Sequence, residues 1–268
     1  EQRKESELTH SQIQSVIDNS EDDIKVPAPM KRSNSKGDEL PDELELDNPQ
    51  ATFKVQRRMK NHENVYLGMY DHPYTGEIKA VGKKITAETT RQKEEFLNNV
   101  HALMTFNMQT DFKYVVRYID HSVYERTLHA GAVCTLITKA CFSNLKEYVD
   151  HRNSKSKPIS KSIDLERMVR HLVFAFKELH EENGQFKMCH RDVKPLNILV
   201  DFAKNDQFMQ MPILKLCDFD LSKMFQYGDP TIMATGGIGT VDKTGCWVAP
   251  EVYSAKKNPG EGYGRKSD

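Results

Sequence analysis

The chain has 268 residues, a formal net charge of −1 and 38% apolar residues. A near-neutral charge gives no global basic field, so we expect no direct nucleic-acid site. No apolar run reaches the roughly 18 residues that span a bilayer, and we see no secretory leader pattern. The five cysteines form no CxxC pair, which favours reduced thiols in a cytosolic compartment over zinc or disulfides.

The first segment, residues 1–48, is polar, of mixed charge and poor in aromatic residues. Such a composition cannot bury enough apolar surface to offset the entropy lost on ordering the chain. We therefore expect residues 1–48 to be a disordered or linker segment, and residues 49–268 to form the folded domain.

The next part of the chain has the pattern of a small sheet-rich lobe. Short apolar runs broken by polar turns predict strands. These strands are expected near residue 55 and at 65–66, 78–81, 115–119 and 133–137, with a turn at 74–77. Residues 87–106 are predicted to form a helix between the third and fourth strands. Its residues Phe96, Val100 and Leu103 recur at spacings of four and three, which places them on one face.

The second half of the chain has a helical pattern. A short helix is predicted to start at residues 144–149, and a long one is predicted over 162–180. The long helix is apolar over most of its circumference, and such helices are normally buried on several sides. We expect it to pack partly against elements that would follow Asp268.

The strongest chemical signal is the loop His190-Arg191-Asp192-Val193-Lys194-Pro195-Leu196-Asn197, which matches the catalytic loop of protein kinases. At that spacing Asp192 would accept the proton of a substrate hydroxyl, and Asn197 would hold Mg²⁺. Lys194 would neutralise charge on the transferring phosphoryl group. A polar loop arising by chance is the alternative, but the length of the motif and its companions in the right order argue against it.

The second signal is Asp218-Phe219-Asp220, which follows the apolar strand 213–217 as the metal-binding motif of kinases does. Asp218 would bridge Mg²⁺ to the β- and γ-phosphates. Asp220 stands where kinases usually have glycine, which permits backbone angles that other residues resist. Aspartate tolerates left-handed angles better than most residues, so we expect the turn to form with altered mobility.

The third signal is Ala249-Pro250-Glu251, which closes a kinase activation segment. Thr244 lies three residues before Trp247, and together with Lys194 it resembles Ser/Thr kinases rather than Tyr kinases. The resemblance implies that Thr244 hydrogen-bonds Asp192 and Lys194. It also implies that the cofactors are ATP and Mg²⁺.

The kinase resemblance also assigns the nucleotide site. Ala80 to Ile85 resembles the strand that carries the phosphate-contacting lysine, which we assign to Lys83, with Lys79 and Lys84 expected to point outward. The implied nucleotide-binding residues are Val65, Lys83, Lys139, Cys141 and Asp218. The implied metal ligands are Asn197 and Asp218.

Two further features depart from the kinase pattern. The glutamate that usually pairs with the lysine is replaced by Asn99, with Glu95 one turn earlier as the alternative partner. The three glycines of the phosphate-covering loop should fall at Arg58, Lys60 and Glu63. Bulky residues cannot bring backbone N–H groups as close to phosphates. Arg58 or Lys60 could compensate by charge, although an exposed turn is the simpler reading.

The resemblance implies an α+β, bilobal protein-kinase fold with a β-rich N-lobe and a mainly helical C-lobe that is truncated. The N-lobe is expected at about 49–138, the hinge at about 139–142 and the partial C-lobe at 143–268. Within it, Ser267-Asp268 resembles the start of the helix that anchors the catalytic loop from below.

Several segments resemble one branch, the kinase–endoribonucleases that comprise the inositol-requiring unfolded-protein-response sensor and RNase L. They are residues 65–70, 144–149, 244–251 and the Asp-Phe-Asp motif. The resemblance implies a Ser/Thr kinase that acts on a protein substrate or on itself, as a homodimer in the full-length protein. The alternative is a pseudokinase that binds nucleotide and regulates dimerisation or an attached ribonuclease. The location implied is the cytoplasm or the cytosolic face of the endoplasmic reticulum membrane.

Overall fold

An antiparallel sheet of six strands forms the first half of the protein. The strands are β1 (Glu43–Leu44), β2 (Thr52–Arg58), β3 (Val65–His72), β4 (Gly76–Ala87), β5 (Tyr118–Glu125) and β6 (Ala132–Lys139). Their order across the sheet is β1-β2-β3-β4-β6-β5. The structure, a computed structural model, describes residues 40–59, 62–108, 113–125, 131–156, 159, 163–180, 187–203, 211–225, 247–250 and 268.

The outer face of this sheet has its own apolar core, centred on Phe53. Phe53 is fully buried, and it lies over Gly68 of β3 and Gly82 of β4. A Cβ atom on Gly68 would lie 2.2 Å from the backbone oxygen of Lys54, so this close approach requires glycine. Leu44 of β1 completes the cluster. Leu44 lies inside the 1–48 segment that the sequence predicts to be a linker, yet its side chain covers Gly82. The domain boundary at residue 48 stays a prediction.

The other face of the sheet is covered by helix α1 (Thr90–Met108). The predicted apolar face is confirmed, since Phe96, Val100 and Leu103 are all buried. The helix begins three residues later than predicted because β4 continues to Ala87. A reciprocal cap also fixes its start. The amide of Gln92 donates to Thr89 Oγ1 at 3.2 Å, and Gln92 Oε1 accepts from the Thr89 amide at 3.0 Å.

The strand predicted at 115–119 begins later, at Tyr118. Val115 and Val116 are buried, but they pair with a strand from the second half of the chain. Val115 forms an isolated parallel bridge with Leu216, and the amide of Val116 donates to the Leu216 carbonyl at 2.8 Å. The predicted strand is therefore confirmed for Tyr118 and Ile119 and wrong for Val115 and Val116, whose backbone pairs with Leu216 in the second half of the chain.

Helices and short sheets make up the described part of the second half. The helices are α2 (Leu145–Ser154) and α3 (Ile163–His180), and a 3-10 turn lies at Pro195–Asn197. The strands are β7 (Ser143–Asn144), β8 (Lys187–Cys189), β9 (Ile198–Ala203), β10 (Met211–Leu216) and β11 (Lys223–Phe225). They form the antiparallel sheets β10-β9-β7 and β11-β8. The chain thus has the predicted two-lobed α+β architecture, with β6 and β7 joined by Ala140 to Phe142.

Helix α3 is buried along one face and exposed along another. Met168, Ala175 and Leu179 are buried and form the face that packs on the core. In contrast, Val169 and Val173 are 50% and 59% exposed. Among the described residues a single face of α3 is therefore covered, and Val169 and Val173 lie on the uncovered side, where the sequence analysis expects packing against elements that would follow Asp268. No helix among the described ranges is long and apolar enough to cross a membrane.

Candidate active site

The loop 190–197 lies between β8 and β9 and brings three predicted residues into direct contact. Lys194 Nζ donates to Asp192 Oδ2 at 2.7 Å, and Asn197 Nδ2 donates to the same oxygen at 2.8 Å. Asn197 Nδ2 also donates to the backbone carbonyl of Asp192 at 3.0 Å. The 3-10 turn at Pro195–Asn197 makes this possible, because it returns the chain towards Asp192. The Asp192 carboxylate is therefore fixed in orientation by two donors.

The base of this loop is held by Asp268, whose side chain is fully buried. Its carboxylate accepts from the amides of His190 and Arg191, each at 2.8 Å, and lies 2.9 Å from His180 Nε2. Burial by itself raises the pKa of Asp268, but these hydrogen bonds outweigh it and lower the pKa. The buried carboxylate thus remains an acceptor that anchors the loop.

The segment 218–220 lies against this loop. Phe219 is buried between the His190 ring, with centroids 4.8 Å apart, and Phe106 of α1, with centroids 5.9 Å apart. Asp218 has a φ of 66°, in the left-handed region. Asp220 is not among the described residues with positive φ, so the expectation that it needs left-handed angles is wrong. The turn places its unusual geometry two residues earlier, and Asp220 fits without backbone strain.

Lys83 is the lysine that reaches this segment, as assigned from the sequence. Its Nζ donates to Asp218 Oδ1 at 2.7 Å and forms a second ion pair with Asp220 Oδ2. Burial lowers the pKa of Lys83, but the two carboxylates outweigh it, so the pKa is raised above its ordinary value. Val65 is the register partner of Lys83 on the neighbouring strand, so the two side chains share one face of the sheet.

A lysine on the sheet thus pairs with Asp218, whose neighbour Phe219 packs against His190 of the 190–197 loop. The family model for the protein kinase domain matches residues 64–268. The chain belongs to the protein kinase family.

Three curated relatives illustrate the similarity. The probable serine/threonine-protein kinase MRK1 homolog of Encephalitozoon cuniculi is 28% identical over 47% of this chain and 34% of its own length. The serine/threonine-protein kinase RIM11/MSD1 of Saccharomyces cerevisiae is 26% identical over 66% of this chain and 44% of its own. The serine/threonine-protein kinase/endoribonuclease ire-1 of Caenorhabditis elegans is 29% identical over 44% of this chain and 11% of its own. The matched region therefore spans less than half of each relative.

Against the kinase pattern, Asn99 occupies the place of the usual glutamate on the helix. Its side chain is 1% exposed, and its Nδ2 donates to Asp220 Oδ1. Glu95, the alternative, is exposed and pairs with Arg91 at 2.9 Å. The structure thus favours Asn99 over Glu95 as the residue facing the site. The contact of Asp220 with both Lys83 and Asn99 was missed by the sequence analysis, although the loss of an acid at 99 and the gain of one at 220 was a visible signal.

The hairpin between β2 and β3 stands where kinases have the glycine-rich loop. The Met59 amide donates to the Val65 carbonyl at 2.7 Å, so the turn is closed by its own backbone. The Arg58 guanidinium lies 5.9 Å from the centre of the Tyr66 ring, and Glu63 is exposed. Lys60 lies outside the described residues. Neither Arg58 nor Glu63 can supply the close backbone approach that glycine allows.

The predicted hinge, residues 139–142, hydrogen-bonds through its backbone to segments on both sides of it. The amides of Lys139 and Ala140 donate to the carbonyls of Arg117 and Lys79 at 2.8 and 3.1 Å. The amide of Phe142 donates to the Val200 carbonyl in the C-lobe at 2.9 Å. Burial raises the pKa of the Cys141 thiol to about 12, so the thiol is neutral at physiological pH.

The donor atoms at the base of the cleft fit Mg²⁺. Asn197 commits its Nδ2 to Asp192, so its amide oxygen could serve as a metal ligand. Carboxylate and amide oxygens are the ligands that Mg²⁺ prefers, and Asp218 would supply the carboxylate. Thr244 and Glu251 lie outside the described residues.

Proposed function

We propose that this chain is an ATP-dependent Ser/Thr protein kinase that transfers the γ-phosphate of ATP to protein hydroxyls. The observation that carries the proposal is the contact of Lys194 and Asn197 with Asp192, with Asp218 and Lys83 across the same cleft. These are the residues that would touch the reacting atoms. Family membership and the three relatives support the same reaction.

In the proposed reaction, the oxygen of the substrate hydroxyl bonds to the γ-phosphorus while Asp192 accepts the hydroxyl proton. The bond between the γ-phosphorus and the β,γ-bridging oxygen breaks. ADP is the leaving group. Lys194, 2.7 Å from Asp192, neutralises charge that spreads over the transferring phosphoryl oxygens. Thr244 would hydrogen-bond Asp192 and Lys194 and keep their side chains in position. Mg²⁺, held by Asp218 and Asn197, would supply charge neutralisation on the phosphates.

The nucleotide would lie between the lobes. Val65 shares the face of Lys83 and would cover the adenine, while Lys83 would contact the phosphates. Lys139 and Cys141 would hold the adenine edge through their backbone. Within the described part of the chain, the Cys141 amide donates to no backbone carbonyl, which leaves it available to a nucleotide.

The finer assignment within the family is to the kinase–endoribonuclease branch. The segments that resemble it and the partial match to ire-1 support this assignment. It implies trans-autophosphorylation within a homodimer, in a sensor of the unfolded-protein-response type with its kinase on the cytosolic side of the endoplasmic reticulum membrane. No nuclease residue of this chain is assigned.

A second candidate is a pseudokinase that binds nucleotide and regulates dimerisation or an attached ribonuclease module. The observations that favour it are Asn99 at the glutamate position and the glycine-free hairpin with Arg58 and Glu63. We favour the active kinase because the changed residues cover or position the nucleotide, while the residues at the reacting atoms are retained.

Two parallel assays on the purified chain separate these candidates. One measures transfer of labelled γ-phosphate, with Mg²⁺, to the chain itself and to a peptide library containing Ser, Thr and Tyr acceptors. The other measures ATP affinity with and without a chelator. Labelled phosphoserine or phosphothreonine that requires metal supports the kinase. Nucleotide binding without any transfer supports the pseudokinase, and the absence of both rejects the two proposals together.

A further inference from the structure

Two departures from the kinase pattern meet at one place in this structure. Asn99 replaces the glutamate of the helix, and Asp220 replaces the glycine that follows Phe219. These positions are 121 residues apart in sequence, yet Asn99 Nδ2 donates to Asp220 Oδ1. The other oxygen of Asp220 pairs with Lys83 Nζ. One carboxylate therefore bridges the lysine and the helix.

The exchange preserves the charge around Lys83. In the usual arrangement the lysine is held by a carboxylate that projects from the helix. Here the helix offers a neutral amide, and the carboxylate comes from the 218–220 segment. Asn99 is 1% exposed, so its amide needs a partner inside the protein, and the bond to Asp220 provides one for its N–H group.

The backbone accommodates this change without strain. Asp220 lies outside the left-handed region, so the backbone angle that favours glycine does not oppose a side chain at this position. The left-handed angle belongs to Asp218, at 66°. The Asp220 side chain can therefore project towards Lys83 and α1 from a turn of ordinary geometry.

We propose that Asp220 is a positioning residue that takes the place of the helix glutamate, holding Lys83 for the nucleotide and fastening α1 through Asn99. The inference rests on the proposed function of the same site. Its consequence is a different linkage. The usual pair joins the helix to the lysine strand, whereas here Asp220 joins α1 and β4 directly to the segment that carries Asp218. The three elements are therefore expected to move together.

The test is a set of four proteins made in the whole chain: wild type, Asp220→Gly, Asn99→Glu and the double variant. Asp220→Gly removes the bridge, and Asn99→Glu sets a second carboxylate against Asp220. Each single change is expected to lower kcat/KM for ATP by about 10- to 100-fold, the effect of losing a charge-assisted hydrogen bond. The double variant restores the usual arrangement and is expected to recover to within about threefold of wild type. Asp220→Asn keeps the shape of the side chain and removes its charge. It tests the same contact if the Asp220→Gly protein does not fold.

A second readout uses no nucleotide. Hydrogen exchange of α1 amides and chemical modification of the Lys83 amine should both become faster in Asp220→Gly and Asp220→Asn, and return towards wild type in the double variant. Glu95→Gln is the matched control, since it removes an exposed carboxylate of the same helix. A failure of phosphotransfer in every protein would reject the kinase proposal but leave this readout intact. Unchanged exchange and modification in Asp220→Gly, or a double variant no better than the singles, would overturn the inference.

Discussion

The two sides of the cleft differ in how closely they follow the protein kinase pattern. On the C-lobe side, Asp192, Lys194 and Asn197 keep the expected residue types and contact one another. On the N-lobe side, Arg58 and Asn99 replace residues that cover the phosphates or orient the lysine. Groups that handle the proton, metal and phosphoryl charge have few chemical substitutes. Groups that only position others can be exchanged, provided that the charge is supplied from elsewhere.

The departures from the kinase pattern on the N-lobe side do not come with loose packing of that lobe. The departures on the N-lobe side sit on a closely packed sheet, whose Phe53 is fully buried against two glycines. The lobes are also tied together by Phe219, which touches both α1 and His190. The comparison therefore concerns the chemistry of the cleft rather than the stability of one lobe.

The largest expected effect is on the C-lobe side, from Asp218→Ala. This change removes the proposed metal carboxylate and one ion pair of Lys83. We expect phosphotransfer to fall by at least about 10²-fold and ATP affinity to lose its dependence on Mg²⁺. Titration calorimetry with and without chelator measures the second effect. Asp150→Ala, at an exposed i,i+4 pair with Lys146, is the control. If the ATP affinity of the wild type is the same with and without chelator, this protein belongs with metal-independent pseudokinases.

A smaller effect is expected in the N-lobe sheet, from Gly68→Ala. The new Cβ would meet the Lys54 backbone oxygen at 2.2 Å, and a backbone atom cannot move aside easily. We expect a loss of about 1–3 kcal/mol in the free energy of unfolding. Gly76→Ala separates crowding from backbone angle, since Gly76 has a φ of 67° and open space around it. It should cost about 1–2 kcal/mol. Denaturant unfolding compares the two, and an unaffected Gly68→Ala protein would contradict the tight packing described for this sheet.

The smallest effect is expected from Glu95→Gln. Glu95 forms an exposed pair with Arg91 on the solvent side of α1, so its loss should change stability by about 0.5 kcal/mol or less. ATP affinity should stay within about twofold of wild type. Asn99→Leu is the sharper comparison, because it removes the bond to Asp220 from the same helix. A large loss of ATP affinity in Glu95→Gln would indicate that Glu95, rather than Asn99, is the helix residue that acts with Lys83.

Much of the site could be read from contiguous motifs. The loop around Asp192 is local in sequence, so its spacing already specifies which side chains meet. Likewise, the apolar spacing of Phe96, Val100 and Leu103 predicted the buried face of α1. Lys83 could be chosen among three lysines because the strand around it resembles the family.

The rest depended on contacts between distant segments. Lys83 and Asp220 are 137 residues apart, and no local pattern indicates that their side chains meet. The same holds for Val115, whose apolar run predicted a strand but whose partner is Leu216. The backbone angle at Asp220 was misjudged because a glycine preference in a family does not say which residue of the turn needs positive φ.

The most direct test of the account is single-turnover transfer of labelled γ-phosphate by wild type and by Asp192→Asn, at saturating ATP and Mg²⁺. Asp192 faces the substrate hydroxyl in the proposed mechanism, so the asparagine variant should bind ATP with nearly unchanged affinity and lose about 10²- to 10⁴-fold in transfer rate. Measured together, transfer by the wild type and its loss without a loss of binding would support the assigned chemistry. Equal transfer rates in the two proteins, or no transfer by a wild type that binds ATP, would contradict it.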